Sequence, residues 1–173
     1  MKYILLAGIH GVGKSTLLDQ IDKVYPIEAY TISSLIKKAD QQIDTINKQT
    51  KEIAENQNLW KKELKKIDSL STKIILDGHF TLLNNTGEIV PLPFETFENV
   101  DIVGVILKKE IPEVIQSRLF NRDNHTWVLE RIQKFQKVEE DTARSYSLNA
   151  KIPLFVYDNI NQFDNLINFI DER

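Results

Sequence analysis

The residues best suited to chemistry stand near the start of the chain, in the segment AGIHGVGKST (7–16). Its spacing matches the phosphate-binding pattern G-x-x-x-x-G-K-[ST], in which glycines let successive backbone amides point at phosphate oxygens. The lysine is expected to reach the β- and γ-phosphates, and the serine hydroxyl to bind Mg²⁺. The sequence therefore predicts a site for ATP and Mg²⁺, with the nucleotide held by Gly8, His10, Gly11, Val12, Gly13, Lys14, Ser15 and Thr16.

A carboxylate for the metal is expected at the end of a neighbouring strand. The run KIIL leads into Asp77, followed by Gly78 and His79. Asp77 is predicted to hold Mg²⁺ together with Ser15 or to orient the acceptor, whereas the alternative is a turn aspartate before glycine. His79 could touch the acceptor from the edge of the crevice or could be a structural histidine in a turn.

Arginines that could neutralise a moving phosphoryl group are found only from position 118 onward. Arg118 and Arg122 are four residues apart, so one helix face presents both if the helix persists. A short polar turn follows, which suits a small lid over 118–126 that closes the two arginines on the phosphates. The alternative is a solvated basic helix end favoured by the helix dipole. We assign catalytic roles to Lys14, Asp77, Arg118 and Arg122.

These residues must be positioned by alternating strands and helices. Short apolar runs predict strands at 3–7, 27–30, 73–76, 101–107 and 154–157. Helical patterns are predicted at 14–24, 42–70, 112–120 and 126–150. The apolar face predicted for the last of these consists of Val128, Ile132, Phe135, Val138, Thr142 and Tyr146. Strands separated by helices indicate an α/β fold of three layers, with a mostly parallel five-stranded sheet flanked by helices. We interpret 1–173 as one domain with a helical insertion near 31–71.

Composition excludes several classes of function. The 173-residue chain has no cysteine, so disulfides, thiolate zinc sites and thiol catalysis are impossible. Its formal net charge of −3 argues against a general nucleic-acid or membrane-surface role. No apolar stretch approaches membrane-spanning length, and we expect a cytoplasmic protein. The sequence leaves the oligomeric state open.

The chain resembles the P-loop nucleoside and nucleotide kinases, most closely the archaeal-type adenylate kinases. The resemblance rests on AGIHGVGKST, KIILDGHF, GEIVPLP, DIVGVILKKEIPEVIQSRLFNRD and ARSYSLNAKIPLFVYDN, in that order. It implies a core, an acceptor-binding helical insertion near 31–71 and a short lid near 118–126. It also implies ATP as the donor and Asp77 near the metal and the acceptor.

The chain departs from this family on the acceptor side. The insertion offers lysines such as Lys48 and Lys51 instead of an arginine, and Glu140 stands where an arginine is expected. His79 and Phe80 follow the Asp-Gly turn where that family often has an arginine. Lysine does not replace a bidentate guanidinium. A less charged acceptor is therefore plausible beside AMP: a nucleoside, a sugar-like hydroxyl compound, or a nucleotide held by lysine.

Several polar residues are candidates for the remaining contacts. Ser33 lies just after the second strand, where it could meet the acceptor or cap a helix. Asn56 and Gln57 carry amides that could read a base or sugar edge, or could face solvent. Asn159 follows the last strand, where it could contact the donor base or cap the next helix.

Two functions are compatible with these residues. The first is a phosphotransferase that passes the γ-phosphate of Mg-ATP to a small-molecule acceptor such as a nucleoside or nucleoside monophosphate. The second is an ATP-binding switch or slow ATPase acting on a protein partner, which the missing acceptor-side arginines favour. The candidate lid arginines favour the phosphotransferase, since a switch typically uses an ordered loop that reads the γ-phosphate.

Overall fold

The computed structural model describes residues 1–43, 53–68, 73–84, 86–124 and 126–173, with side chains over the same ranges except 40–43 and 53–58. Its central sheet contains five strands: β1 (Tyr3–Ala7), β2 (Ile27–Thr31), β3 (Lys73–Asp77), β6 (Ile102–Lys108) and β7 (Leu154–Tyr157). The spatial order is β2-β3-β1-β6-β7, and every neighbouring pair is parallel. The predicted parallel five-stranded sheet is confirmed.

The helices of the described part cover both faces of this sheet. They are α1 (Lys14–Asp22), α2 (Ile32–Ile43), α3 (Ile53–Leu64), α4 (Pro112–Asp123), α5 (Leu129–Ala150) and α6 (Phe163–Asp171). Alternate residues of β1 point to opposite faces, so Leu5 joins a core with Trp60 and Tyr146, whereas Leu6 joins a second core with Ile21 and Ile170. The predicted three layers are therefore present.

The predicted helix over 42–70 is wrong in its bounds. The helix α2 already begins at Ile32, directly after β2, and the helix α3 ends at Leu64. The amides of Lys66 and Ile67 bond to carbonyls three residues back, which tightens the chain into a turn that leads towards β3. Residues 44–52 lie outside the described part of the chain.

The segment 84–93 contains part of a β-hairpin. Strands β4 (Thr81–Leu83) and β5 (Ile89–Pro91) pair antiparallel. Leu83 and Ile89 pack against a third core that includes Ile9, Ile115 and Phe135, beneath the glycine-rich segment. The hairpin therefore helps to support that segment from below.

The predicted apolar face of the long helix after residue 126 is shifted. Val128 is exposed, and Val138 and Thr142 are only half-buried. The buried residues of α5 are Ile132, Phe135, Glu139, Ala143, Tyr146 and Ser147. The helix thus buries an acidic residue, and this residue lies at the candidate site. Across the described helices, none is long and apolar enough to cross a bilayer.

Candidate active site

The phosphate-binding segment joins β1 to α1 at the carboxyl end of the sheet. Gly8, Gly11 and Gly13 have φ values of 141°, 80° and 94°, which side chains of L-residues rarely adopt. A Cβ at Gly8 would stand 2.6 Å from the carbonyl oxygen of Lys108 on β6. The loop therefore depends on glycine for both its turns and its close approach to the sheet.

The amino end of α1 is left free to receive an anion. The N-cap residue Gly13 has no side chain to cap the helix, and the first backbone hydrogen bond of the helix runs from Leu17 N to Gly13 O. The amides of Lys14, Ser15 and Thr16 precede that bond. Since the helix dipole also favours negative charge at this end, the arrangement fits a phosphate group.

The Lys14 side chain folds back into the loop and is only 8% exposed. Its Nζ donates to the Gly8 carbonyl at 2.5 Å and lies 3.5 Å from Asp77 Oδ1. Burial lowers the pKa of Lys14, while the charge of Asp77 opposes that change. The ammonium group thus lies between the phosphate loop and the end of β3.

Asp77, the last residue of β3, faces Lys14 across the site. Burial raises the pKa of Asp77, while the charge of Lys14 acts in the opposite direction. Within the described residues, the buried Oδ1 atom accepts no hydrogen bond, and its partner is the Lys14 ammonium at 3.5 Å. Asp77 and Ser15 line one cavity, so they could share a metal ion with bound phosphates, as Mg²⁺ sites with few protein ligands do. The described residues contain no cluster of three or more His, Asp or Glu side chains suited to a metal.

Two imidazoles lie beside Lys14. The rings of His10 and His79 stand 4.4 Å apart at 42°, and His79 Nε2 is 3.2 Å from Lys14 Nζ. Burial, followed by the charges of Lys14 and His10, lowers the pKa of His79 to about 2. His79 is therefore neutral, and because lysine donates to Nε2, its proton is assigned to Nδ1.

The two arginines lie along the same cavity but have different partners. Arg118 donates to the carbonyl oxygens of Gly11 at 3.3 Å and Val12 at 3.1 Å, and to Glu110 at 3.2 Å. Arg122 pairs through Nε and Nη2 with its neighbour Asp123, both at 2.6 Å. Both side chains are exposed. Arg118 thus supports the loop from outside, and Arg122 lies at the cavity mouth.

Sequence reasoning missed Glu139, the acidic residue of α5 that lies beneath the loop. It is 1% exposed, and its Oε1 atom accepts hydrogen bonds from the amides of Gly8 and Phe80, each at 3.0 Å. Its Oε2 atom accepts from the Thr81 hydroxyl. Burial raises the pKa of Glu139, although these donors and Lys14 act against it. Glu139 therefore ties the phosphate loop to the segment after Asp77.

Two cavities meet at the phosphate loop. One, of about 400 Å³, contains Lys14, Ser15, Asp77 and both arginines along its walls. The other, of about 270 Å³, lies on the β7 side and is lined by Tyr157 and Asn159 among others. The Asn159 side chain also caps the turn after β7 by accepting from the Asn161 amide. Both alternatives considered for Asn159 are thus compatible with its position.

A third cavity, of about 120 Å³, opens on the other side of Asp77. Ser33, in the first turn of α2, lines this cavity and the 400 Å³ cavity, as do Asp77 and His79. Asn56 and Gln57 belong to α3, but their side chains lie outside the described residues. The structure thus brings Ser33 and His79 to the expected edge of the site.

Comparisons with known proteins agree with this architecture. A family model described as an AAA domain matches residues 7–140. An unliganded sugar kinase from Janibacter sp. HTCC2649 is 16% identical over 99% of this chain and 95% of its own, with a TM-score of 0.54. TT1252 from Thermus thermophilus is 12% identical over 99% and 96%, with a TM-score of 0.52. At these identities the likeness concerns the fold. No curated protein sequence matches the chain significantly.

Proposed function

Because this chain belongs to the AAA domain family, whose model spans its phosphate loop, we propose that it is an ATP-dependent phosphotransferase. In this proposal the chain transfers the γ-phosphate of Mg-ATP to a small acceptor. The observation that carries it is the position of Asp77, which lines both the cavity of the phosphate loop and the separate 120 Å³ cavity. A switch or ATPase has no need of a second cavity at the transfer point.

The donor half rests on the phosphate loop. Lys14 and the free amides at the start of α1 bind the triphosphate, and the 270 Å³ cavity beside Asn159 is wide enough to receive the base. Ser15 and Asp77 would hold Mg²⁺, which neutralises charge on the phosphates when it is bound. Most of the rate would come from positioning and electrostatics.

The remaining parts follow the expectations from sequence. Arg118 and Arg122 would stabilise the charge of the moving phosphoryl group, with 118–126 as a lid. The helical insertion near 31–71 would receive the acceptor through Ser33 and, on α3, Asn56 and Gln57. His79, after β3, would contact the acceptor from the other side. The likeness to nucleotide kinases supports ATP as the donor, whereas the departures on the acceptor side leave the acceptor broader than AMP. The likeness in fold to a sugar kinase is compatible with a hydroxyl acceptor.

The test is a product analysis with Mg-ATP and a panel of nucleosides, nucleoside monophosphates and other hydroxyl compounds, separated by chromatography. We expect ADP formation to depend on one class of acceptor and a phosphorylated product to appear with it. ADP release that is the same across the whole panel would contradict the proposal and favour an ATPase.

A variant isolates the contribution of the loop. Lys14→Ala is expected to abolish turnover and the thermal stabilisation by ATP, which for the wild type is about 2.7 kcal/mol at a ligand concentration of a hundred times Kd. Lys137→Ala is the matched control, because Lys137 is an exposed lysine paired with Asp141 on α5. The control should keep both properties.

A further inference from the structure

The 120 Å³ cavity beside Asp77 has a chemical character of its own. Much of its wall is apolar, formed by Ile32 and Ile36 of α2, Leu82 of the hairpin, and Leu92 and Phe97 beyond it. This wall belongs to the sheet face that carries the Trp60 and Phe80 core. A ligand seated here would place an apolar surface against these side chains, since burial of apolar area is favourable.

One buried oxygen of the cavity lacks a partner among the described residues. Thr96 is 4% exposed, and its hydroxyl has no hydrogen-bond partner. Asp77 Oδ1, on the same cavity, accepts no hydrogen bond but is ion-paired with Lys14 Nζ at 3.5 Å. An orphaned buried polar group is costly, so the Thr96 hydroxyl indicates that a ligand supplies the missing hydrogen bond.

No described residue that lines this cavity is a lysine or arginine. Lys14, on the adjoining side, already has the Gly8 carbonyl and Asp77 as partners. A phosphate group buried among the Ile32, Leu92 and Phe97 side chains would stand near the Asp77 carboxylate without a paired cation, and that arrangement is strongly unfavourable.

Resting on the proposed phosphotransferase function, we infer that the acceptor is a small uncharged alcohol with a compact apolar body, whose reacting hydroxyl donates to Asp77 and whose second polar group bonds to Thr96. An apolar cavity of about 150 Å³ holds benzene. The 120 Å³ cavity therefore receives a group of about six non-hydrogen atoms. Any larger part of the acceptor extends into the 400 Å³ cavity that shares Asp77.

The transfer step balances with the groups named. The acceptor hydroxyl oxygen forms a bond to the γ-phosphorus, and the bond from that phosphorus to the β,γ-bridging oxygen breaks. The electron pair of the broken bond stays on ADP. The hydroxyl proton, which hydrogen-bonds to Asp77 in the complex, is released to water. The products are ADP, a phosphate monoester and a proton.

The test uses γ-labelled ATP and acceptors in matched pairs, each a neutral alcohol and its phosphate monoester with a second hydroxyl free. Suitable pairs are cyclohexane-1,2-diol, glucose and adenosine with their monophosphates. We expect label transfer to the neutral members with kcat/KM at least tenfold higher than to the phosphorylated members. Preferred transfer to the phosphorylated members would overturn this inference and leave the proposed function standing. Label released only as inorganic phosphate would overturn both.

A variant tests the role of Thr96 in acceptor specificity. Thr96→Val replaces the orphaned hydroxyl with a methyl group of similar size, so we expect an unchanged or higher melting temperature. The KM for the accepted neutral alcohol should rise about fivefold to tenfold, with the KM for ATP unchanged. Thr142→Val is the control, because the Thr142 hydroxyl bonds to Val138 O on α5. An unchanged acceptor KM in Thr96→Val would remove Thr96 from the site.

Discussion

Replacing Glu139 with leucine removes a carboxylate that accepts hydrogen bonds from two buried amides and a buried hydroxyl. Leucine has a similar size but no acceptor, so the amides of Gly8 and Phe80 lose their partner. Each unsatisfied buried donor costs about 1–3 kcal/mol, so the two amides together cost about 2–6 kcal/mol. We expect Glu139→Leu to lower the free energy of unfolding by that amount.

Glu139→Gln separates the loss of the hydrogen bonds from the loss of the charge. With the amide oxygen in place of Oε1, both backbone donors keep an acceptor at about the same distance. The glutamine nitrogen then faces the Thr81 hydroxyl, which can rotate to accept. We therefore expect Glu139→Gln to lie within about 1 kcal/mol of the wild type at pH 7.

The assay is equilibrium unfolding in urea followed by far-UV circular dichroism, with ATP binding measured on the folded variants. Glu140→Leu is the control, because the neighbouring Glu140 bonds to Lys109 and Arg144 near the surface. We expect it to lose about 1 kcal/mol or less. Equal losses in Glu139→Leu and Glu140→Leu would refute the idea that Glu139 holds the loop.

Three further outcomes are expected. Burial raises the folded-state pKa of Glu139, so the stability that this group contributes is complete below the unfolded pKa of about 4.3 and declines as the pH rises through the folded-state pKa. In urea unfolding, the free energy of unfolding of Glu139→Gln relative to the wild type should therefore increase as the pH rises. Gly8→Ala should abolish ATP binding in a thermal-shift titration, because its Cβ would stand 2.6 Å from a carbonyl oxygen, whereas Gly87→Ala in the hairpin should keep it. Arg122→Ala should spare most ATP binding and lower turnover on the order of a thousandfold; normal turnover would exclude Arg122 from the mechanism.

Local patterns predicted much of the fold and the donor side. The glycine spacing of the phosphate loop depends on a few consecutive residues, and most strands of the sheet are short apolar runs. The position of Asp77 follows from the same kind of pattern, because it stands at the end of one such run. These features can be predicted from a single segment of the sequence, without knowing which distant residues it contacts.

Predicting the role of Glu139 requires knowing which face of α5 is buried. The predicted stripe joins Ile132 and Phe135 to Tyr146 through Val138 and Thr142, each one residue before a buried position. The buried stripe runs through Glu139 and Ala143 instead. An acidic residue within an apolar helical stripe was the available signal, but its partners Gly8 and Phe80 are remote in sequence and left no local trace.

The spacing of Arg118 and Arg122 predicted a shared helix face, but not their present partners. Arg118 contacts loop carbonyls, and Arg122 pairs with Asp123. The contacts of Arg118 depend on how α4 packs on the third core, through Ile115 and Leu119, whereas Asp123 is the chain neighbour of Arg122. The catalytic roles of the two arginines stay predictions, as do those of Asn56 and Gln57.

The bond between Glu139 and Gly8 spans 131 residues of the chain. During synthesis, the phosphate loop leaves the ribosome before α5 does. The Gly8 amide then has no buried acceptor, and β1 is not yet paired with its sheet neighbours β3 and β6. A nascent chain that stops short of residue 139 therefore carries the complete glycine motif without its internal support. We expect such a chain to bind a nucleotide only once residue 139 has been synthesised.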